Sequence, residues 1–192
     1  SIFGMGYVGC VGAACCAKLG HDVIGVDVSA HKVALINAGR PTIIEKDIEE
    51  LVRHARSAGH LEATSDAGYA VKHSEISFIA VGTPSSREGH LNLEYIYKVA
   101  AQIGEALRDK EAFHIVAVRS TVLPGTNEKI GEIIEEKSGK RRNVAFTVVS
   151  NPEFLREGTA VHDYLNPPLT LVGADHEKKK KKMRELYRDI PG

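Results

Sequence analysis

The sequence predicts an α/β fold with a doubly wound, mainly parallel sheet and helices on both faces. Apolar segments of strand length alternate with segments of helical period along the 192 residues, which is the pattern of βαβ units. Several strand segments are almost continuously apolar, as expected for strands that are buried on both faces. No repeat and no low-complexity linker divides the chain, so we expect one domain over residues 1–192.

Each predicted strand is a short run of mostly apolar residues, many of them β-branched. The run Ile76–Val81, for example, is interrupted only by Ser77. In chain order the predicted strands are Ser1–Phe3, Val23–Asp27, Ile76–Val81, His114–Val118, Val144–Val149 and Leu169–Val172.

Most of the predicted helices end at a glycine, and some begin at a capping or helix-opening residue. Ser29 precedes the helix Ala30–Asn37, for example, and Gly39 follows it. The other predicted helices are an apolar segment that ends at Leu19, Ile48–Ala58, the amphipathic Leu93–Leu107, and a helix from Pro124 to Gly139.

Composition argues against several classes of function. Lys and Arg number 25 and Asp and Glu number 25, so the formal net charge is +0 and the whole chain has no electrostatic bias toward nucleic acid or anionic membranes. No apolar run approaches the roughly 18–20 residues of a membrane span, and we expect no secretory leader. Cys10, Cys15 and Cys16 lie in the first helix without the spacing of a metal site, which predicts a reducing, cytoplasmic location and no bound metal.

The run Lys178–Lys182 is the one conspicuous charge cluster. It could bind nucleic acid or phosphate, but Met183, Leu186, Tyr187 and Ile190 follow at helical spacing. That spacing favours a solvated helix face above an apolar stripe. Neither base-stacking aromatic residues nor a recognition helix accompanies the run, so we expect no nucleic acid partner.

The stretch Gly4–Gly9 follows the first strand and forms a G-x-G-x-x-G motif. Gly4 permits the tight turn, Gly6 lets backbone N–H groups approach a pyrophosphate, and Gly9 lets the helix pack closely on the strand. The second strand ends in Asp27, where the motif has an acid for a ribose hydroxyl about 20 residues on. Together they predict a Rossmann-type dinucleotide site; a purely structural glycine turn is the alternative.

Three loops at the ends of predicted strands carry polar side chains, and open α/β sheets bind ligands at the carboxyl ends of their strands. The two acids of the last loop, Glu153 and Glu157, share one face if that loop is helical. Each loop alone has an ordinary interpretation as a turn or a helix cap, but three on the side of the glycine motif favour one common site. The loops are 82–86 (Gly-Thr-Pro-Ser-Ser), 119–126 (Arg-Ser-Thr-Val-Leu-Pro-Gly-Thr) and 151–158 (Asn-Pro-Glu-Phe-Leu-Arg-Glu-Gly).

Taken together, these motifs resemble the NAD-binding domain of the UDP-glucose/GDP-mannose dehydrogenases, and the resemblance covers nearly the whole chain. Enzymes of this family oxidise a nucleotide sugar at C6 to the uronic acid with two NAD, through an aldehyde and a cysteine thioester. The matching motifs are the glycine stretch 4–9, the strand end 26–27, and the loops 81–85, 119–126 and 151–157.

The resemblance implies a role for each matching position. Asp27 would hold the adenosine ribose with Lys32 beside it, and Glu157 would lie near the nicotinamide. Thr121 and Glu153 would reach the reacting C6 centre, where the family uses them to position water and assist proton transfer. The remaining cofactor contacts implied are Gly4, Met5, Gly6, Tyr7, Val8, Gly9, Thr83, Pro84, Ser120 and Thr121. The implied substrate contacts are Glu153, Phe154, Leu155, Arg156 and Glu157.

The family's nucleophilic cysteine and its catalytic lysine and asparagine match no position here, and we expect them beyond residue 192. The chain is therefore expected to be part of a longer polypeptide, without the middle helix and the C-terminal nucleotide-sugar domain, and to be inactive alone. Cys10, Cys15 and Cys16 cannot replace the nucleophile, because their helix lies behind the pyrophosphate. The full-length protein is expected to be a homodimer or a higher homo-oligomer.

Two departures from the family pattern and one question of substrate remain. Glu45-Lys46-Asp47-Ile48 replaces the usual Glu-Pro-Gly-Leu, which leaves the path of that connection open, and Asn92 replaces an Asp as a helix cap. The stretches 123–126 and 163–170 resemble the GDP-mannose branch of the family, so GDP-mannose is the expected substrate. UDP-glucose, or a non-catalytic NAD-binding module, are the alternatives, and a module has no need of Glu153 and Glu157.

Overall fold

The computed structural model describes residues 1–85, 91–174 and 177–191. Six strands of this part pair in parallel in the order β3-β2-β1-β4-β5-β6. The order turns back at β1, so the helices that connect the two halves lie on opposite faces, and the predicted fold class is confirmed. The strands are β1 Ile2–Phe3, β2 Val23–Val26, β3 Leu61–Thr64, β4 Ile76–Ile79, β5 His114–Val118 and β6 Phe146–Ser150.

The helices cover both faces of the sheet. One apolar core joins a face to α1, α3, α7 and the residues after α8, and a second joins the other face to α4, α5 and α6. The helices are α1 Tyr7–Lys18, α2 Ala30–Asn37, α3 Ile48–Ser57, α4 Ala67–Lys72, α5 Glu94–Leu107, α6 Thr126–Ser138, α7 Ala160–Leu165 and α8 Glu177–Leu186.

The carboxyl ends of five strands form one row across the sheet. Phe3 lies opposite both Val26 and Ile79, Ile79 lies opposite Val118, and Val118 lies opposite Ser150. Whatever follows these residues along the chain therefore emerges at the same edge. This register brings the glycine stretch and the three predicted loops together.

The prediction of a strand over Leu169–Val172 was wrong. Only Gly173 pairs there, through one antiparallel bridge to Ser150 with N–O distances of 2.9 and 2.8 Å. The ladder stops because β6 ends at Ser150 and Pro152, two residues on, has no N–H to donate. The short elements β3, α4 and α7 were missed, because four to six residues carry too little periodicity to be recognised.

A buried histidine lies at the opposite edge of the sheet, at the start of β5. The Lys110 ammonium donates to Val71 O at 2.6 Å and to His114 Nδ1 at 3.1 Å. Because an ammonium group can only donate, the remaining imidazole proton is on Nε2, 2.7 Å from Ser77 Oγ. Burial, and secondarily the Lys110 charge, hold the pKa of His114 well below its usual range.

The domain should therefore lose stability in mild acid. In the unfolded chain His114 takes up a proton below about pH 6.5, whereas the folded chain resists it. The free energy of unfolding should fall below that pH, with a His114 contribution approaching about 1.4 kcal/mol per pH unit. Urea unfolding at pH 7.5 and 5.5 measures it. His114→Gln should flatten the dependence, and the same change at exposed His54 should not; equal slopes in all three proteins would refute the assignment.

Candidate functional site

The glycine stretch turns sharply from β1 into α1, and its three glycines have different surroundings. Gly4 takes φ +97°, and a Cβ there would lie 2.9 Å from Ala80 O. A Cβ on Gly9 would lie 1.8 Å from Gly4 O, so backbone fills that space. Around Gly6 a Cβ would meet no described atom within 4 Å. The turn is thus closed on the protein side and open at Gly6.

The open space at Gly6 faces the N-terminus of α1. Gly6 is the N-cap, its first turn holds no acid, and no side chain of the described residues caps it. Free N–H groups and the positive end of the helix dipole make such an end a site for anions. This arrangement suits a pyrophosphate.

The other residues of the stretch contribute unequally. Met5 is fully buried, and its side chain fills the space beside Gly25, where a Cβ would meet Met5 Sδ at 2.6 Å. Only the Met5 backbone can therefore contact a ligand. Tyr7 and Val8 are half-buried in the first turn of α1.

Asp27 follows β2 and anchors this turn. Its Oδ2 accepts the Met5 N–H at 2.8 Å, and its Oδ1 accepts the Ser29 N–H at 2.9 Å. Lys32 Nζ lies 3.4 Å from Oδ2. The carboxylate is thus held beside the glycine turn with a cation next to it.

A cavity of about 380 Å³ opens between the ends of β1, β2 and β4 and one side of α5. Gly4, Gly6, Asp27, Lys32 and Pro84 line it, together with apolar Val26, Val28, Val81 and Val99. A lining that combines a few polar groups with apolar side chains suits the adenosine half of a dinucleotide. A wider groove of about 810 Å³ between α1, α3 and α7 contains no residue of the strand ends, so the smaller cavity is the candidate site.

The loops after β4 and β5 lie against each other. Ser120 Oγ donates to Val81 O at 2.6 Å, and Thr83 Oγ1 donates to Thr121 O at 3.4 Å. Ser120 therefore ties the two strand ends together, while Thr121 is exposed at the edge. Ser86, the last residue of the predicted loop, lies outside the described residues.

The segment 151–156 after β6 forms neither helix nor strand, so the condition under which Glu153 and Glu157 would share a helix face is not met. Pro152 cannot donate a helical hydrogen bond, and the Glu153 carboxylate instead accepts the Leu155 N–H at 2.6 Å. Glu153 is half-buried and Glu157 is exposed. The two acids therefore have different surroundings and can have different tasks.

Two other predicted substrate contacts lie in this segment. The Arg156 guanidinium pairs with Asp163 of α7 at 3.0 and 2.8 Å, and this pairing holds the pKa of Asp163 well below its usual range. Arg156 therefore first fastens its own segment to α7. Phe154 is exposed over 49% of its surface, which leaves it available for contact.

The replaced Glu45–Ile48 connection has a simple explanation. Asp47 takes φ +64° just before α3, a conformation that glycine adopts freely and Asp tolerates better than most residues.

Sequence reasoning missed Glu45, whose carboxylate accepts the Tyr7 hydroxyl and the Gly158 N–H, the latter at 2.7 Å. The hydrogen bond from the Tyr7 hydroxyl lowers the pKa of Glu45, while burial and Glu45 together raise the pKa of Tyr7 to about 12. The glycine stretch, the connection and the Glu157 segment are thereby joined.

The three cysteines are buried on α1, as predicted. Burial raises the pKa of each thiol, that of Cys15 to about 12. A thiol that stays protonated is a poor nucleophile. No group of three or more His, Cys, Asp or Glu that could hold a metal ion occurs in the described part of the chain.

The lysine run lies on α8, as predicted. Lys182 pairs with Glu75, and Lys181 lies 4.0 Å from Glu185; the side chains of Lys178–Lys180 lie outside the described part. Beneath them Met183, Tyr187 and Ile190 are buried in the core. No helix within the described ranges is long and apolar enough to cross a membrane.

Comparison with known proteins agrees with this geometry. The sequence model described as UDP-glucose/GDP-mannose dehydrogenase family, NAD binding domain, matches residues 1–191. A GDP-mannose 6-dehydrogenase of Pseudomonas aeruginosa is 49% identical over 191 residues, 99% of this chain and 44% of that protein. A UDP-glucose 6-dehydrogenase of Haloferax volcanii is 42% identical over 192 residues, 99% of this chain and 44% of that protein.

Solved structures give the same result. A ternary complex of GDP-mannose dehydrogenase from Pseudomonas aeruginosa superposes with a TM-score of 0.96 at 48% identity, covering 98% of this chain and 44% of that one. A UDP-glucose dehydrogenase from Pyrobaculum islandicum superposes with a TM-score of 0.94 at 40% identity, covering 100% and 44%. This chain thus spans less than half the length of these relatives.

Proposed function

The chain belongs to the UDP-glucose/GDP-mannose dehydrogenase family, whose NAD-binding domain it matches, and we propose that it serves in a GDP-mannose 6-dehydrogenase. That enzyme would oxidise the C6 hydroxyl of GDP-mannose to the carboxylate of GDP-mannuronate. Residues 1–192 would be its NAD-binding domain, and a further part of the polypeptide would supply the nucleophilic cysteine and hold the nucleotide. The uncapped start of α1 beside Gly6, next to the Asp27 carboxylate, carries this proposal.

The residues around the cavity divide the work. When bound, NAD accepts a hydride from the sugar C6. The N–H groups of Tyr7, Val8 and Gly9 would meet the pyrophosphate, and Asp27 would meet the adenosine ribose. Gly4 and Gly6 keep side chains out of the way, and Thr83, Pro84 and Ser120 form the neighbouring wall.

Two polar residues at the edge would act on the reacting centre. Thr121 is exposed beside the β4 loop, and Glu153 is half-buried beyond the end of β6. A half-buried carboxylate can take a proton from water, and a hydroxyl can orient that water. We therefore assign hydrolysis of the covalent intermediate to Glu153 and Thr121, and contact with the nicotinamide to Glu157. Phe154, Leu155 and Arg156 would shape the sugar side.

GDP-mannose is preferred to UDP-glucose on two observations. The stretches 123–126 and 163–170 resemble the GDP-mannose branch, and identity is 49% to a GDP-mannose enzyme against 42% to a UDP-glucose enzyme. A nucleotide-activated uronic acid is chemically suited to donate uronosyl units to a polysaccharide. We further propose a homodimer or higher homo-oligomer, and a reducing, cytoplasmic location that suits the buried free thiols.

Assay of the full-length protein tests the proposal. With NAD and GDP-mannose we expect two NADH to be formed per nucleotide sugar. The mass of the product should correspond to oxidation of its CH₂OH group to a carboxylate. Faster turnover of UDP-glucose would assign the other branch of the family. NAD binding without oxidation of either sugar would identify a non-catalytic NAD-binding module instead.

Cofactor choice gives a separate prediction at Asp27. A carboxylate there can accept from a ribose 2′-hydroxyl and would repel a 2′-phosphate, so NAD should bind much more tightly than NADP. Asp27→Ala should weaken NAD by about 1–3 kcal/mol, because charge-assisted hydrogen bonds are lost. Calorimetric titration with both cofactors measures this.

The control for this prediction is Asp22→Ala. Asp22 precedes the same strand, but its carboxylate is 89% exposed and pairs only with His60 among the described residues. NAD affinity should not change there. Equal affinity for NAD and NADP in the unmodified protein would mean that Lys32, 3.4 Å from the acid, has cancelled the repulsion, and the prediction would be wrong.

A further inference from the structure

A half-buried arginine links the two loops to which the reaction is assigned. Arg119 directly follows β5, and its Nη1 donates to Asn151 Oδ1 at 2.8 Å and to Tyr187 Oη at 3.0 Å. Its guanidinium carbon is 5.2 Å from the ring centroid of Tyr164, a distance typical of a cation–π contact. One side chain thus connects β5, the end of β6, α7 and the segment after α8.

The positive charge of Arg119 has an unusual setting. Within the described ranges no carboxylate forms an ion pair with it at 4 Å or less, whereas Arg156 is paired with Asp163. Its closest partners are neutral, namely an amide oxygen, a hydroxyl and an aromatic face, and the Glu153 charge acts on it only from farther away, helping to raise the pKa of Arg119. A half-buried cation without a close ion partner carries a desolvation penalty. Because Arg119 lies beside the strand ends despite this cost, we infer that it helps to position the loops that follow them.

The position of Arg119 in the chain suggests that role. Ser120 and Thr121 follow it directly, and Asn151 stands two residues before Glu153. A single hydrogen bond therefore joins the loop of Thr121 to the loop of Glu153. Pro152 stands between Asn151 and Glu153 with a fixed φ, so little freedom remains there.

Asn151 is held on every side. Besides accepting from Arg119, its Oδ1 accepts the Tyr187 hydroxyl at 2.5 Å, and its Nδ2 donates to Leu171 O at 2.8 Å. Its backbone N–H donates to Val118 O at 2.9 Å. Each polar group of the side chain has a partner, so its geometry is determined.

Tyr187, which directly follows the lysine-rich helix α8, is part of this network. The apolar stripe beneath the lysines buries Tyr187 beside Asn151, at the far end of the described chain. Burial raises the pKa of this hydroxyl to about 12, so it stays protonated and donates to Asn151 while it accepts from Arg119. The packing of α8 therefore places the Tyr187 hydroxyl between Arg119 and Asn151.

We propose that Arg119 is a positioning residue that holds Thr121 and Glu153 in register, with Tyr187 locking the shared partner Asn151. The proposal rests on the function assigned above. Removing the guanidinium should leave the cofactor cavity intact, because within the described structure the hydrogen bonds of Asp27 run to Met5, Ser29 and Lys32 and none joins it to this network. It should instead let the segment 151–155 move relative to Thr121.

The test compares four variants of the full-length protein: Arg119→Met, Arg119→Lys, Tyr187→Phe and the control Arg188→Met. The Arg188 side chain is 78% exposed, and its replacement by Met removes the same guanidinium group from the surface. Hydrogen exchange of peptides covering residues 150–156 reports the position of the segment and needs no substrate. NAD affinity, kcat and rapid-quench trapping of the covalent adduct report the reaction.

We expect Arg119→Met to raise exchange over 150–156 and to lower kcat about 10- to 100-fold, because misplacement by about 1 Å has effects of this size. NAD affinity should stay within about 2-fold, because loss of this contact leaves the cofactor's contacts in place. Arg119→Lys should recover much of the loss, since an ammonium can still donate to Asn151. Tyr187→Phe should lower kcat by about 2- to 10-fold, the effect of one hydrogen bond.

Unchanged exchange over 150–156 in both Arg119→Met and Tyr187→Phe would overturn the proposal. So would a loss of NAD affinity equal to the loss of kcat, because it would mean general unfolding. Tyr187→Phe removes one oxygen and keeps the test available if Arg119→Met does not fold. If the unmodified protein oxidises neither nucleotide sugar, the proposed function fails, and hydrogen exchange still decides on the network.

Discussion

Replacing Gly9 with alanine is expected to abolish NAD binding by unfolding the glycine turn. A Cβ at this position would lie 1.8 Å from Gly4 O and 3.3 Å from Met5 Cε. The first of these is backbone and cannot rotate away, so α1 would have to separate from β1. Forced overpacking of this kind should lower the free energy of unfolding by about 3 kcal/mol or more. Because domains of this size have only about 5–15 kcal/mol in total, little folded protein should remain.

Two other glycines make the experiment specific. Gly6→Ala should fold normally, since its φ of −84° suits any residue and nothing described lies within 4 Å of the new methyl. It should nevertheless weaken NAD, because the methyl group takes the place of the pyrophosphate. Gly12→Ala, in the middle of α1, meets its neighbours at an ordinary 3.8 Å and should be neutral or slightly stabilising.

Urea unfolding and NAD titration of the three variants separate the possible outcomes. Stability should fall only in Gly9→Ala, and NAD affinity should fall without loss of stability only in Gly6→Ala. If Gly9→Ala unfolds at the urea concentration of the unmodified chain, α1 packs less tightly on β1 than described here. If Gly6→Ala binds NAD normally, the pyrophosphate lies elsewhere.

The fold, and the meeting of the glycine stretch with Asp27 at one edge of the sheet, could be predicted because their signals are local. The glycine stretch, Asp27 and the apolar strands are each readable within a few residues, and strand parallelism alone brings their ends to one edge. Element ends were less accurate. Predicted Val144–Val149 is observed as β6 Phe146–Ser150, because Asn143 takes φ +67° and Val144 is left exposed in the preceding turn.

The contacts that no local pattern predicts all join distant parts of the chain. Glu45 meets Gly158 across 113 positions, and Arg119 meets Tyr187 across 68. A pattern of helical or strand period carries no information about such partners, which depend on how helices pack after the sheet has formed. The spacing of Glu153 and Glu157 would likewise have allowed a helix, but the segment is irregular, because the Glu153 carboxylate accepts the Leu155 N–H and Arg156 pairs with Asp163.

The Glu153 carboxylate is the group to which the hydrolytic step is assigned, and Glu153→Gln isolates that role. The amide oxygen of glutamine can still accept the Leu155 N–H, now 2.6 Å from the carboxylate, so the local turn should survive. What is lost is the ability to take a proton from water. General-base assistance contributes about 10²–10⁴-fold, so hydrolysis of the thioester should slow by that factor.

Slow hydrolysis should leave a visible intermediate. In the full-length protein, rapid-quench mass measurement of Glu153→Gln should show the sugar bound covalently to the enzyme after the oxidation steps, with NAD affinity unchanged. Thr121→Ala should show the same effect more weakly, since a hydroxyl orients water but is a poor base at neutral pH. Glu157→Gln is the matched comparison, because it should weaken NAD without accumulating the adduct. Normal turnover of Glu153→Gln with no trapped adduct would contradict the assignment. The Glu153 carboxylate would then only hold the Leu155 N–H, and another group would have to act as the base.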